Sequence, residues 1–152
     1  MATSGTVVVG VDGHEPSLHA LRFATAEARR RGTDLDVVMA FDVLAYSDHV
    51  NSLAYHPSVE EVTETIEANL RHAVREARSA AGGALDDVRV RFAAVVGHPR
   101  TVLVGRSHDA ELLVLGHRGR SAVASGVLGS VGLGCVLHAD CPVTLVPPAK
   151  AA

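Results

Sequence analysis

A loop rich in glycine, arginine and serine lies near the C-terminal end of this 152-residue sequence. Gly116 and Gly119 lack a Cβ, so the backbone there can approach a ligand closely. Arg118 and Arg120 supply two positive charges, and Ser130 offers a hydroxyl that can cap a helix or bind a phosphate oxygen. These residue types in this order predict a loop that binds phosphate.

The segments on either side of the loop support this interpretation. The apolar run 111–115 predicts a buried strand, and residues 131–138 predict a short helix. The first N–H groups of a helix lack partners and the helix dipole is positive there, so a loop between a strand and a helix N-terminus binds anions well. The glycines alone are equally compatible with a mobile turn.

Composition and charge limit the classes of protein that this chain can belong to. Its 152 residues, 47% hydrophobic and 20% charged, predict one globular domain. The net charge of −3 argues against nucleic acid or an anionic membrane as the main partner. No run approaches the ~18 apolar residues of a membrane span, and residues 1–5 do not form a signal peptide, so we expect a cytoplasmic protein. Cys135 and Cys141 form neither a CxxC motif nor a disulfide framework and are expected to be small buried residues.

Strand and helix patterns alternate along the whole chain. The five predicted strands are 6–11, 35–41, 88–96, 111–115 and 142–146. The four predicted helices are 16–31, a long helix that begins at a capping box at 58–61 and ends at Gly82, 99–108 and 131–138. Residues 42–57 are expected to be an irregular loop. This order predicts an α/β fold, a single-domain open parallel five-stranded sheet with helices on both faces. In such sheets ligands bind beyond the carboxyl ends of the strands, where the strand order reverses.

The loop's full spacing, G-x2-G-x9-G-S, is neither a Walker A loop nor the dinucleotide fingerprint G-x-G-x-x-G. It resembles the ATP-binding signature of the universal stress protein family. Residues 9–13, Val-Gly-Val-Asp-Gly, look like the opening strand of that family and its acidic residue. Residues 141–143, Cys-Pro-Val, look like the start of its last strand, and the similarity extends from about Thr6 to Val146.

The resemblance implies a Rossmann-like fold, similar to the adenine nucleotide alpha hydrolases, with strand order 3-2-1-4-5 and one nucleotide-binding domain over residues 5–147. It also implies that Asp12 contacts the ribose or a phosphate-bound Mg²⁺, and that the backbone near Ala40–Phe41 and Val96–Gly97 flanks the adenine. The expected nucleotide-binding residues are Gly10, Val11, Asp12, Ala40, Phe41, Gly116, His117, Arg118, Gly119, Arg120, Gly129, Ser130 and Val131, with Asp12 also the candidate metal ligand.

Several positions have alternative interpretations or depart from the family pattern. Aspartate before glycine at a strand end is often only a turn former, and this applies to Asp12. His14 stands where the family usually has serine, and Gly132 and Gly134 stand where it usually has small polar residues. His117 lies inside the loop and could contact phosphate, whereas the spacing of the other histidines predicts no metal site.

The function predicted is that of an ATP-binding stress-response or signalling module that uses Mg²⁺. No G-x-S-x-G elbow and no other catalytic set is evident, so no catalytic residue is predicted. A weak Mg²⁺-dependent ATPase and a nucleotide-free dimerisation protein are the two alternatives.

The last strand, Pro142 to Val146, predicts a homodimer. It would be an edge strand, and it is too apolar to be left open to water. Antiparallel pairing with its own copy about a two-fold axis would satisfy the free backbone groups, and the family resemblance implies the same dimer. The alternative is that residues 147–152 fold over this edge.

Overall fold

The structure, a computed structural model, describes residues 5–43, 45, 57–117, 128–148 and 150. The strands are β1 (Thr6–Gly10), β2 (Asp34–Phe41), β3 (Val90–Val96), β4 (Leu112–Gly116) and β5 (Val143–Val146). The helices are α1 (Glu15–Arg31), α2 (Val59–Ala80), α3 (Pro99–Ser107) and α4 (Ser130–His138). The predicted loop over 42–57 lies mostly outside the described residues. None of the helices described is long and apolar enough to cross a membrane.

The strands form a parallel sheet in the order β3-β2-β1-β4-β5, which confirms the predicted fold. Strand β1 lies at the centre, where Val9 is aligned with Val37 of β2 and Val114 of β4. Strands β3 and β5 are the edges. The chain leaves β1 toward β2 and returns to β4 on the other side, so the strand order reverses between β1 and β4. A crevice is therefore expected at the carboxyl ends of these two strands.

Buried side chains on the two faces of the sheet form two hydrophobic clusters. Helices α1 and α2 cover one face, where Leu21 and Ile66 pack against odd-numbered β1 residues such as Val9. Helices α3 and α4 cover the other face, where Leu103 and Cys135 pack against even-numbered β1 residues such as Val8. Because both faces of the central strands are covered, their sequences are almost continuously apolar.

The two cysteines are free, as their spacing predicts. Cys135 is fully buried, whereas Cys141 is only half-buried. Burial raises the pKa of both thiols, so both remain protonated at neutral pH. The structure thus confirms Cys135 as a small buried residue and leaves Cys141 partly accessible.

Local sequence signals set the helix ends. Helix α1 ends at Gly32, whose φ of 67° is a left-handed conformation that glycine adopts without strain. Helix α2 begins with the predicted capping box: the Glu61 N–H donates to Ser58 Oγ at 3.2 Å, and the Ser58 N–H donates to the Glu61 carboxylate at 2.8 Å. Helix α3 has Pro99 in its first turn, as predicted.

The Glu27 carboxylate predicts a pH dependence of stability. Hydrogen bonds from Arg30 and Arg31 lower its pKa from 4.5 to about 2. A carboxylate whose pKa is lower in the folded state stabilises the protein above the unfolded pKa, and this stability is lost as the pH falls through the folded pKa. Both arginines are on the surface, so the contribution at pH 7 is about 0.2–1 kcal/mol.

We expect Glu27→Gln to lower the melting temperature at pH 7 by up to about 4 °C. The difference from the wild type should shrink below pH 4.5 and vanish near pH 2. Calorimetric melting of both proteins across this range tests the prediction. A difference that is constant with pH would show that Glu27 acts through packing and not through its charge.

Candidate functional site

A cavity of about 250 Å³ opens at the carboxyl ends of β1 and β4, where the strand order reverses. Its lining includes the predicted residues 10–12 at the end of β1, residue 40 of β2, residues 116–117 at the end of β4 and residues 129–131 at the start of α4. Segments far apart in the sequence therefore meet at one place. Arg118, Gly119 and Arg120 fall outside the described residues.

Glycine at position 10 allows the floor of this cavity to pack. A Cβ added to Gly10 would lie 2.7 Å from Leu115 Cδ2 and 2.8 Å from Leu103 Cδ1. Both leucines line the cavity, and both are at least 96% buried. A larger residue at Gly10 would displace them, so the close approach of β1 to these side chains depends on glycine.

Asp12 forms a turn and also faces the cavity. Its Oδ1 accepts a hydrogen bond from the His14 N–H at 2.9 Å, and His14 Nδ1 lies 3.5 Å from the same oxygen. This geometry supports the turn-former interpretation. The side chain nevertheless lines the cavity with 33% exposure, and in the described part of the chain only Oδ1 of this carboxylate has a hydrogen-bond partner. One oxygen can therefore hold the turn while the other faces a ligand.

Ser17 is a cavity residue that the sequence analysis missed. Its hydroxyl accepts a hydrogen bond from the Asp12 N–H at 3.2 Å and donates one to the His14 carbonyl at 2.9 Å. With 5% exposure, it ties the first turn of α1 to the end of β1. The only signal in the sequence is a hydroxyl residue shortly after the Asp-Gly turn, which is too common to identify a site.

The wall of the cavity near Ala40 is apolar. Val38, Pro99 and Leu103 line it together with Ala40. Val38 could have been identified from the sequence, because residues two apart in a strand point to the same face. Apolar walls of this kind suit a flat ring such as a nucleobase.

Phe41 does not line the cavity among the described residues, although it was predicted to lie at the ligand. Its side chain is 6% exposed and packs in the cluster beneath α1 and α2, because neighbouring residues in a strand point to opposite faces. Its carbonyl accepts a hydrogen bond from the Gly97 N–H at 3.0 Å. Val96 and Gly97, predicted to flank the adenine, are likewise absent from the described lining.

The start of α4 faces the cavity, but Ser130 does not cap the helix. The N-cap residue is Gly129, which makes no side-chain hydrogen bond, and Ser130 is already the first helical residue. The capping prediction is therefore wrong by one position. The first hydrogen bond of the helix is the one that the Leu133 N–H donates to the Gly129 carbonyl at 2.9 Å. The N–H groups of residues 130–132 precede this bond and therefore have no partner within the helix. These three residues line the cavity and provide N–H groups suited to an anion.

The described residues contain no group of three or more His, Cys, Asp or Glu side chains that could hold a metal ion. Asp12 supplies one carboxylate at the cavity. Mg²⁺ at nucleotide sites is commonly held by one or two carboxylates together with substrate phosphates, so this single carboxylate fits a metal that arrives with a nucleotide. It does not fit a metal site built by the protein alone.

Comparison with known sequences identifies relatives along nearly the whole chain. The family model described as universal stress protein family matches residues 3–147. The universal stress protein Rv2005c of Mycobacterium tuberculosis is 35% identical over 142 residues, which cover 92% of this chain and 47% of that protein. The putative universal stress protein SERP1273 of Staphylococcus epidermidis is 27% identical over 149 residues, covering 96% of this chain and 86% of that protein. The chain thus spans about half the length of the mycobacterial relative.

Solved structures share the fold. A universal stress protein in complex with cAMP superposes with a TM-score of 0.68 and 30% sequence identity, covering 96% of this chain and 98% of that one. The universal stress protein from Archaeoglobus fulgidus in complex with dAMP has a TM-score of 0.63 and 23% identity, covering 95% of this chain and 98% of that one. At this lower identity the second comparison supports the fold alone.

Proposed function

Because the chain belongs to the universal stress protein family, we propose that it binds ATP with Mg²⁺ and acts as a nucleotide-dependent stress-response or signalling module. One observation carries the proposal: the cavity joins an apolar wall, a helix N-terminus and one carboxylate within a single site. These three features match the base, the phosphates and the ribose or metal of a nucleotide. Residues 5–147 are the proposed nucleotide-binding domain.

The base is assigned to the apolar wall. Val38, Ala40 and Leu103 lie on the face of the sheet that α3 and α4 cover, at the carboxyl end of β2 and along α3. An adenine ring placed there would bury its faces against aliphatic carbon, which favours binding by the hydrophobic effect. The predicted contact at Ala40 therefore stands as part of the proposal. Phe41 stays a prediction for its backbone alone, because its side chain packs on the other face of the sheet.

The phosphates are assigned to the start of α4 and the end of β4. Gly116, His117 and residues 129–131 all line the cavity. The N–H groups at the start of α4 and the positive end of its dipole favour negative charge. By sequence, Arg118 and Arg120 would add positive charge to the same loop. Asp12 is proposed to contact the ribose or Mg²⁺.

The solved neighbour with 30% identity supports an adenine nucleotide as the ligand class. That protein was determined in complex with cAMP, which shares adenine, ribose and phosphate with ATP. A cavity of about 250 Å³ can take the nucleoside, with further phosphates extending toward the loop. The choice of ATP over a monophosphate rests on the G-x2-G-x9-G-S spacing and is decided by the experiment below.

We also propose a homodimer through the strand Pro142 to Val146. The structure places β5 at the edge of the sheet, and residues 143–146 are uncharged. An uncharged apolar edge left open to water invites pairing with another strand. In the described part of the chain, Pro147, Pro148 and Lys150 follow this strand and are exposed, which gives no support to a tail folded over it.

Binding of Mg²⁺–ATP, measured by calorimetry on the purified protein, tests the proposed function. We expect one site per chain, competition by other adenine nucleotides and no competition by GTP. Mass spectrometry of any nucleotide released on denaturation identifies the ligand that co-purifies. Phosphate release faster than in a protein-free control would favour the weak ATPase. Absence of binding to every adenine nucleotide would favour the nucleotide-free dimerisation protein.

A further inference from the structure

Strand β3 is the longer of the two edge strands, and no other described strand pairs with its outer side. On its inner side, the Arg89 carbonyl accepts a hydrogen bond from the Leu35 N–H of β2 at 2.9 Å. The Gly97 N–H, at the other end, donates to the Phe41 carbonyl at 3.0 Å. Both bonds use odd-numbered residues, and backbone groups alternate in direction along a strand. The N–H and C=O groups of the even-numbered residues of β3 therefore face outward.

This outer edge lacks the features that usually protect an edge strand. Its even-numbered residues are all apolar, and Val96 is 51% exposed. The only charged residue of the strand is Arg91, which donates to Asp36 at 2.6 Å and to Asp34 at 3.1 Å. Its charge is therefore balanced within the chain. An apolar edge of seven residues without proline is a template for a further strand.

One side of helix α2 lies over this edge. The Arg71 guanidinium lies 5.3 Å from the centre of the Phe92 ring. Arg78 donates a hydrogen bond to the carbonyl of Val88, two residues before β3. At about 100° per residue, Arg75 projects within about 60° of both arginines, so it belongs to the same side of the helix. Arg75 is exposed, and among the described residues it has no ion-pair partner.

The charge on this side of α2 reverses along the helix. Glu64 and Glu67 project within about 40° of Arg71 and lie in earlier turns. Glu67 pairs with Arg71 at 3.7 Å, whereas Glu64 is exposed and has no ion-pair partner within the described part of the chain. We call this side the β3 flank of α2, and it consists of Glu64, Glu67, Arg71, Arg75 and Arg78. The flank is acidic in the first half of the helix and basic in the second half.

We infer that the outer edge of β3 and the β3 flank of α2 bind a second copy of this chain, with Arg75 of each copy opposite Glu64 of the other. A surface binds its own copy about a two-fold axis when it is complementary to itself. Antiparallel pairing of β3 about an axis at residue 93 aligns residue 90 with 96 and residue 92 with 94. Every outward-facing residue then meets another outward-facing residue, so the free backbone groups can bond to each other.

The same axis aligns opposite charges on the two α2 helices. Arg71 and Arg78 contact Phe92 and Val88, so α2 runs antiparallel to β3, with seven helical residues (about 10.5 Å) beside four strand residues (about 13 Å). This correspondence places residue 93 of the strand beside about residue 69 of the helix. Residues 64 and 75 lie at nearly equal distances on either side of that point. A two-fold rotation exchanges the two sides, so the acidic half of each flank meets the basic half of the other.

The inferred contact is separate from the homodimer proposed through Pro142 to Val146, because β3 and β5 are opposite edges of the sheet. It also needs no nucleotide, since none of the residues of the β3 flank lines the cavity described above. Formed alone, the contact gives a dimer. Formed together with the β5 contact, it joins copies into an open chain, because each copy then has one partner at each edge.

Charge-swapped variants test the inference by sedimentation from micromolar to millimolar concentration. Arg75→Glu and Glu64→Arg each place like charges opposite each other twice in the contact, so we expect its dissociation constant to rise about tenfold or more. The double variant, Arg75→Glu with Glu64→Arg, restores opposite charges and should associate as the wild type does. Arg22→Glu is the matched control, because it makes the same change in net charge at an exposed residue of α1. All three positions are exposed, so the monomer should stay folded.

Recovery of association in the double variant, after a loss in both single variants, supports the contact. If Arg75→Glu associates as the wild type does, the surface is wrong, and any dimer that forms belongs to another edge. A loss in both single variants without recovery in the double variant overturns the pairing of residues 64 and 75. An equal loss in Arg22→Glu assigns the effect to net charge and overturns the inference, as does a wild type that is monomeric up to millimolar concentration. None of these outcomes bears on nucleotide binding.

Discussion

Replacing Asp12 with asparagine is expected to weaken Mg²⁺–ATP binding by about 10- to 100-fold while leaving the melting temperature of the empty protein unchanged. Asparagine keeps an oxygen that can accept the hydrogen bond from the His14 N–H, so the turn after β1 survives. The substitution removes the negative charge. A hydrogen bond to a charged group contributes about 1.5–3 kcal/mol, and each 1.4 kcal/mol corresponds to about tenfold in affinity.

Calorimetry with and without Mg²⁺ measures this effect and separates the two proposed roles of Asp12. A loss of affinity that disappears when Mg²⁺ is chelated assigns the carboxylate to the metal, and a loss that persists assigns it to the ribose. Asp12→Ala is the control, because it removes the turn hydrogen bond as well and should also lower the melting temperature. A wild-type affinity in Asp12→Asn would leave Asp12 as a turn former only.

Filling the apolar wall is expected to have a larger effect. Ala40→Phe should weaken Mg²⁺–ATP binding by roughly 100-fold or more, because the added ring would project from β2 into a cavity of about 250 Å³. A single misfitted methylene group already changes affinity by about 10- to 200-fold in a tight apolar site. The ring enters open space, so we expect the fold and the melting temperature to be retained.

The matched control is a substitution on β3, the strand next to β2. Val95 of β3 is aligned with Ala40 and is half-buried, but it is not among the residues that line the cavity. Val95→Phe therefore adds similar bulk to the neighbouring strand and should bind Mg²⁺–ATP nearly as the wild type does. If both variants bind normally, the base does not occupy the cavity wall at Ala40, and that assignment is wrong.

The sequence by itself determined the order and kind of the elements. Buried parallel strands need apolar residues on both faces, and amphipathic helices need them on one, so the two patterns differ along the chain. Local chemistry also set the helix ends at Gly32 and at the Ser58–Glu61 capping box, because these signals act within a few residues. The spacing of the glycine loop identified the family, which the comparison with the family model confirms.

Only the tertiary structure decided which residues share the cavity. Ser17 and Leu103 line it because α1 and α3 meet the strand ends at the point where the strand order reverses, and that meeting depends on contacts between distant segments. The Phe41 side chain points to the face of the sheet opposite to that of Ala40, because the pleat of β2 fixes the direction of each side chain. Only the position of the helices shows which of the two faces holds the site. The local pattern around Ser130 could not show that the helix begins one residue earlier than predicted, at Ser130, with Gly129 as its N-cap residue.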